Sequence, residues 1–183
     1  MVDGKNILDL IISRQSDRKY SDKPIEKVIL ERIVEAGRMA PSACNAQPWK
    51  FIVVNDPELV MKIADAASAK LIGMNNFVAQ APVIIVIVRE KSNMSSKVGA
   101  TIKNKDYSLF DIGIATENIC LQAKAEGIGS CIIGWFDEKM IRKLLSIPRS
   151  KRVELIISLG YSQSEQREKR RKPAAETVSY NKY

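Results

Sequence analysis

The chain contains no histidine among its 183 residues. That removes the commonest general base and the commonest metal ligand together. Ser-His-Asp hydrolysis, Cys-His proteolysis and histidine-based zinc chemistry are excluded by composition, and no metal site is expected. Cysteine is scarce: Cys44, Cys120 and Cys131, an odd number without a Cys-x-x-Cys pair. Reduced thiols in a reducing compartment fit this better than a disulfide framework. No apolar run is long enough to span a bilayer. The most apolar stretch, 82–88, is strand-sized and then meets Arg89-Glu90. The opening residues are polar and lack the apolar core of a signal peptide, so a cytoplasmic location without a membrane partner is expected.

Charge of one sign is in excess: the formal net charge is +8. The basic residues are spread along the chain except for one cluster, 167–172. Aromatics make up only 6% of the sequence, and no helix-turn-helix, zinc-finger or RNP pattern accompanies them. The charge therefore reads as a solvated surface or a site for a small phosphate ligand, not a nucleic-acid interface. Length and a 45% hydrophobic content suit one globular domain spanning residues 1–183. With its own side chains so poor in acid–base chemistry, the protein is expected to borrow a cofactor.

Hydrophobic periodicity predicts a mixed architecture. Ile7 to Ile12 opens a short apolar helix, and Val28, Ile29, Ile33 and Val34 recur at helical spacing from Glu26 to Met39. Trp49 to Val54 alternates as a strand, with Trp49 expected in the core. Asn55-Asp56-Pro57 then caps a helix over 58–70. Val83 to Arg89 reads as a buried strand, and 91–105 as a loop or short helix. A long helix over 108–126 ends at Gly127, in the manner of a glycine C-cap. Strands over 130–133 and 152–160 flank a short helix over 137–145. The last residues, with Val178, Tyr180 and Tyr183, suit an added edge strand or a packed extension. The class is α+β or α/β.

Four segments carry candidate chemistry. Arg14-Gln15-Ser16-Asp17-Arg18 places two guanidinium groups and a hydroxyl within five residues. That suits a phosphate, though a solvated polar turn has the same composition. The proline-stiffened loop Pro41 to Trp49 offers Asn45 and Gln47, each both donor and acceptor, which suits the edge of a heterocycle. A plain helix-to-strand connection is the alternative. Gly127 to Trp135 has glycines at both ends of a short strand, permitting a flat ligand to approach the backbone. A C-cap and a bulge explain it equally well, and it is not a dinucleotide fingerprint. Lys169-Arg170-Arg171-Lys172-Pro173 concentrates cations that repel one another unless an anion joins them.

In this order the segments resemble the FMN-dependent nitroreductase family. The shared pattern is Arg-x-Ser-x-Arg at 14–18, Pro-Ser-x-x-Asn-x-Gln-Pro-Trp at 41–49, Asp-x-Gly-x-Ala at 111–115, Gly134-Trp135, and Lys-x-Arg-x-Pro at 169–173. The resemblance covers almost the whole chain, and the 41–49 loop is its most specific part. It implies a three-layer α+β fold with a central, mostly antiparallel sheet flanked by helices. It also implies a homodimer with FMN at the interface and a C-terminal extension swapped onto the partner subunit. By the same resemblance Arg14, Ser16, Lys169 and Arg171 would hold the FMN phosphate with Gln15 beside them, and Arg18 would sit near the flavin N1 and O2 edge. Pro41, Ser42, Ala43 and Asn45 would come from the partner subunit. Ile132, Ile133 and Gly134 would lie along the ring, and Asn75 or Asn76 would touch it.

The implied reaction is hydride transfer from NADH or NADPH to flavin N5 and on to a small acceptor such as a nitroaromatic or quinone. No catalytic side chain is expected. Ile133 stands where some relatives carry glutamate, so substrate preferences tied to that carboxylate are not implied. No residue of 91–107 is assigned to a substrate. The alternatives are a relative with another task (dehalogenation, flavin destruction or azoline oxidation) and a non-catalytic flavin-binding protein.

Overall fold

The structure is a computed structural model and describes residues 4–68, 74–91 and 105–183. The strands are β1 (Trp49–Val54), β2 (Val83–Arg89), β3 (Gly129–Ile133) and β4 (Arg152–Gly160). The helices are α1 (Gly4–Ser13), α2 (Lys27–Arg38), α3 (Pro57–Ala67), α4 (Tyr107–Ala125), α5 (Glu138–Leu144) and the single turn α6 (Ala174–Thr177). The strands form a sheet in the order β1-β2-β4-β3, antiparallel throughout.

Both faces of the sheet are covered, which explains why β2 reads as an unbroken apolar run. Val83, Ile85 and Ile87 point to one face and pack with Leu30, Ile33, Ile112 and Ile119 of α2 and α4. Ile84, Val86 and Val88 point to the other and pack with Val60, Ile63 and Ile141 of α3 and α5. Alternation along a strand sends neighbours to opposite faces. A bulge keeps β4 in step with this division. Val88 pairs with Val153 and Ile87 with Leu155, leaving Glu154 as the extra residue. Val153 thereby joins the α3–α5 face while Leu155 joins the other.

The termination of α4 bears on the site. Gly127 takes φ +74, its N–H bonds the Lys124 carbonyl at 3.1 Å, and Ile128 N–H bonds Ala123 at 2.8 Å. This Schellman arrangement satisfies the helix's last carbonyls and turns the chain directly into β3. Beyond β3, Ser16 forms a parallel bridge with Ser130. The 14–17 segment is thereby laid along the outer side of the sheet.

Two expectations are corrected. The helix predicted over 58–70 ends at Ala67, with Ser68 extended, and positions 69 and 70 lie outside the described residues. The tail forms neither an edge strand nor a packed extension within the chain. It makes the turn α6 and then leaves Val178, Tyr180 and Tyr183 exposed. The outer side of β3 is flanked by the 16–17 segment, and within the subunit the tail does not reach the outer edge of β1, which pairs with β2 alone. The expectation for 91–105 falls largely outside the described residues. α1 also buries none of its residues, leaving Ile7, Leu8, Ile11 and Ile12 exposed.

Candidate functional site

Arg14 and Lys169 are separated by most of the chain, yet the Lys169 ammonium donates to the Arg14 carbonyl. Around them Arg14, Gln15, Ser16, Arg18 and residues 167–171 line a cleft of about 660 Å³. Six of its nine lining residues are arginine or lysine, and Glu168 is the one acid among them.

Gln15 holds the two halves together. Its side-chain NH2 donates to the Glu165 carbonyl at 3.0 Å and to Asp17 Oδ1 at 2.9 Å, while its Oε1 accepts from Arg167 N–H at 3.0 Å. The amide thus pairs with the tail backbone in both senses, as a neighbouring strand would. Arg167 returns the contact, donating from its guanidinium to the Ser16 carbonyl at 2.6 Å. Asp17 anchors the assembly from below. It is buried, its N–H bonds the Ser130 carbonyl at 2.9 Å, and Oδ1 also accepts from Ser162 Oγ at 2.7 Å. Its carboxylate lies against Gly129, where an added Cβ would stand 2.8 Å from Oδ2. Tyr20 fixes the next turn, donating to the Asp17 carbonyl at 2.7 Å and lying 2.9 Å from Ser158 Oγ. Burial pushes this phenol far above its ordinary pKa, so it stays neutral.

The electrostatics of the cleft call for an anion. Arg14 Nε is buried without a hydrogen bond, although Glu117 lies 3.3 Å away. The Lys169 pKa is pushed down by burial and then by the nearby cations Arg14 and Arg171. A phosphate would supply acceptors for the first and relieve the repulsion on the second. The residues therefore fit the phosphate end of a nucleotide-type cofactor.

The other candidate residues lie in two further places. Ile132 points outward from β3 and is 37% exposed, Ile133 is buried in the α3–α5 core, and Gly134 is exposed. Only Leu155, at 3.8 Å, would meet a Cβ on Gly134, so packing within the chain does not require glycine there. Asn75 joins this end of β3. Its side-chain amide donates to the Trp135 carbonyl at 3.2 Å and to Ala67 at 3.1 Å, leaving its oxygen as an acceptor. Asn76 is exposed and begins the next 3-10 turn. Arg18 is exposed, with its guanidinium 6.0 Å from the Phe77 ring centre.

The 41–48 loop is not among the residues lining the cationic cleft. It is held in an unusual shape: Cys44, Asn45 and Gln47 all have φ between 45° and 51°. Such left-handed residues need local compensation. Ser42 Oγ accepts from Gln47 N–H at 2.9 Å, Gln47 Nε2 donates to Asn45 Oδ1 at 3.1 Å, and buried Asp111 accepts from Ala43 N–H at 3.1 Å. Asp111 Oδ2 is buried without a partner. Pro41, Ser42, Ala43 and Asn45 are thus presented as one rigid unit, apart from Arg14 and Lys169.

Sequence reasoning overlooked the structural work of Asp17, Asp111 and Arg167. Asp111 was visible only as part of a motif on α4, and Arg167 as the start of the basic cluster. No group of three or more histidine, cysteine, aspartate or glutamate residues suited to a metal occurs among the described residues. No helix among them is long and apolar enough to cross a membrane.

A helix–sheet–helix fold brings the N-terminal segment and the C-terminal tail together around a cationic cleft with the charge to suit a small phosphate-bearing ligand. The comparisons give the family. Residues 11–74 and 73–161 match the model of the nitroreductase family, and the chain belongs to that family. It is 35% identical over 164 residues to a protein of Archaeoglobus fulgidus with the provisional name NADH dehydrogenase/NAD(P)H nitroreductase, covering 86% of each chain. An FMN-dependent nitroreductase from Clostridium difficile superposes with a TM-score of 0.78 at 31% identity, over 96% of this chain and 99% of that one. The NADPH:FMN oxidoreductase of Vibrio harveyi, solved with NAD+, gives 0.80 at 25% identity, over 97% and 78%.

Proposed function

We propose that this protein is an FMN-dependent oxidoreductase that passes hydride from NADH or NADPH to a small acceptor such as a nitroaromatic or quinone. The observation that carries the reading is the cationic cleft, where Arg14, Ser16, Lys169 and Arg171 meet with a buried guanidinium nitrogen lacking a hydrogen bond. These residues hold the FMN phosphate. Ile132 and Gly134 offer a low, open surface for the ring, and Asn75 Oδ1 offers an acceptor at its border. When bound, FMN supplies the two-electron chemistry that no side chain of this histidine-free chain provides. Arg18 contributes a fixed positive charge where negative charge develops. Donor and acceptor use one site in turn, so kinetics are ping-pong.

The working unit is a homodimer. Four aliphatic side chains of α1 and Leu109, Phe110 and Ile114 of α4 are exposed, an apolar face that a lone subunit leaves in water. In the dimer the partner presents Pro41, Ser42, Ala43 and Asn45 to the flavin, and the tail with Tyr180 and Tyr183 packs on the other subunit. The whole chain, 1–183, acts as one domain. Three cysteines, none of them in a disulfide, suit a reducing cytoplasm.

The test is the visible spectrum of the purified protein, repeated after anaerobic addition of NADH or NADPH. Flavin bands that bleach with either nicotinamide are the expected result. Protein that stays colourless after reconstitution with FMN would overturn the assignment of Arg14, Ser16, Lys169 and Arg171. A bound flavin that neither nicotinamide bleaches would leave a flavin-binding protein without this turnover.

A further inference from the structure

A second cleft, of about 880 Å³, lies against α5 and shares no lining residue with the first. Its base rests on the core through Ile147, and most of its rim is exposed. Ile141 and Ile147 are buried in the core on the α3 side of the sheet, whereas Arg14 pairs with Glu117 of α4 on the opposite side. The floor is apolar, made by Met140, Ile147 and Pro148.

Around this floor stand Lys139, Arg142, Lys143 and Arg149. Cations in the last turn of a helix are ordinarily explained by the helix dipole. That account reaches Arg142 and Lys143 but not Lys139 or Arg149. The local carboxylates are engaged elsewhere. Asp137 Oδ1 caps α5 by accepting from Met140 N–H at 2.9 Å, and Glu138 is held by Arg152, the Val153 N–H and Arg142, so Arg142 is the one lining cation already paired. Lys139, Lys143 and Arg149 form no ion pair among the described residues.

The turn that closes the cleft is strained. Ser146 has φ +52 in the position after α5 where glycine is customary. Ser146 N–H bonds the Lys143 carbonyl at 3.4 Å and Ile147 N–H bonds Arg142 at 2.9 Å. Arg142 in turn donates to the Arg149 carbonyl at 2.9 Å, and its buried Nε, without a hydrogen bond, pairs with Glu138 Oε1 at 3.7 Å. A non-glycine residue in the left-handed region is disfavoured, and here the helix-ending hydrogen bonds hold it in place.

We infer that this cleft is a second ligand site, specific for a small organic phosphate monoester with an apolar body. The apolar group lies over Met140, Ile147 and Pro148, and the dianion sits among Lys139, Lys143 and Arg149. Three unpaired cations suit a dianion, and the apolar floor distinguishes this ligand from inorganic phosphate.

The experiment is calorimetric titration of the flavin-loaded protein with phenyl phosphate. One binding event per chain is expected, with inorganic phosphate weaker by about ten-fold or more. The double variant Lys143→Glu/Arg149→Glu should weaken phenyl phosphate binding by at least about ten-fold while flavin content and melting temperature hold. Arg171→Ala should leave this binding unchanged, which separates the site from the flavin cleft. Absent binding, equal affinity for inorganic phosphate, indifference to the double variant, or loss on Arg171→Ala would each overturn the inference.

Discussion

Gln15 Oε1 accepts the Arg167 N–H at 3.0 Å, across a sequence separation of 152 residues. With the opposite bond from Nε2 to the Glu165 carbonyl, one side-chain amide acts as a strand partner for the start of the tail. Gln15 is therefore a positioning residue for the cationic cleft: it ties the tail that carries Lys169 to the segment that carries Arg14.

Its removal should weaken cofactor binding without touching the cofactor. Gln15→Ala is expected to raise the FMN dissociation constant roughly 5- to 30-fold, from a loss of about 1–2 kcal/mol of buried hydrogen bonding. Gln15→Glu should be at least as damaging, because it loses both donors and places a carboxylate beside Asp17. Faster proteolysis within 165–172 should accompany both. Unchanged FMN affinity with a protected tail would refute the positioning role.

Lys169 gives the cleft a pH signature. Its pKa is depressed in the free protein by burial and by Arg14 and Arg171. A bound phosphate favours the charged ammonium and raises that pKa. Affinity should therefore be full below the depressed value and fall as pH rises through it, with proton uptake on binding in that window. Titrating FMN affinity against pH in wild type and Lys169→Ala checks this: the variant should bind more weakly and lose the alkaline fall. An unaltered alkaline fall in the variant would assign it to another group.

Gly129 is required by close approach. Its added Cβ would lie 2.8 Å from Asp17 Oδ2 and 2.9 Å from the Ser162 Cβ. Gly129→Ala should cost about 1–3 kcal/mol by overpacking, which for a chain of this size lowers Tm by roughly 2–12 °C. Because Asp17 carries the Gln15 contact, FMN affinity should fall as well. A melting temperature within a degree or so of wild type would show that the anchor yields without cost.

The three thiols should separate by accessibility. Cys120 is buried and its pKa is pushed up to about 11, chiefly by burial; Cys131 is also buried and shifted upward. Cys44 is exposed in the strained loop. Iodoacetamide near neutral pH should modify Cys44 alone in native protein and all three after denaturation. FMN should slow the Cys44 reaction if the partner's loop covers the flavin. Mass spectrometry reads each site, and native labelling of Cys120 would contradict the packing described.

Much of the fold was legible because burial imposes periodicity. β2 reads as a continuous apolar run since both its faces are covered, and Gly127 announced the end of α4. The tail was harder. Val178, Tyr180 and Tyr183 alternate like a strand, but pairing depends on whether the fold carries the tail to a sheet edge, which no local pattern reveals.

By itself the sequence determined the chemistry available: no histidine, two arginines at 14 and 18, a basic cluster near the end, and a proline-stiffened loop at 41–49. It also determined the strands and helices, through spacing that matches the two backbone periods. Only the tertiary structure decided that residues 14–18 and 167–171 close one cleft and that Asp111 pins Ala43. It alone assigned the Gln15 amide to the tail backbone. The reason is physical: these side chains bond main-chain N–H and C=O groups, which every residue carries alike, so no sequence pattern marks the partner.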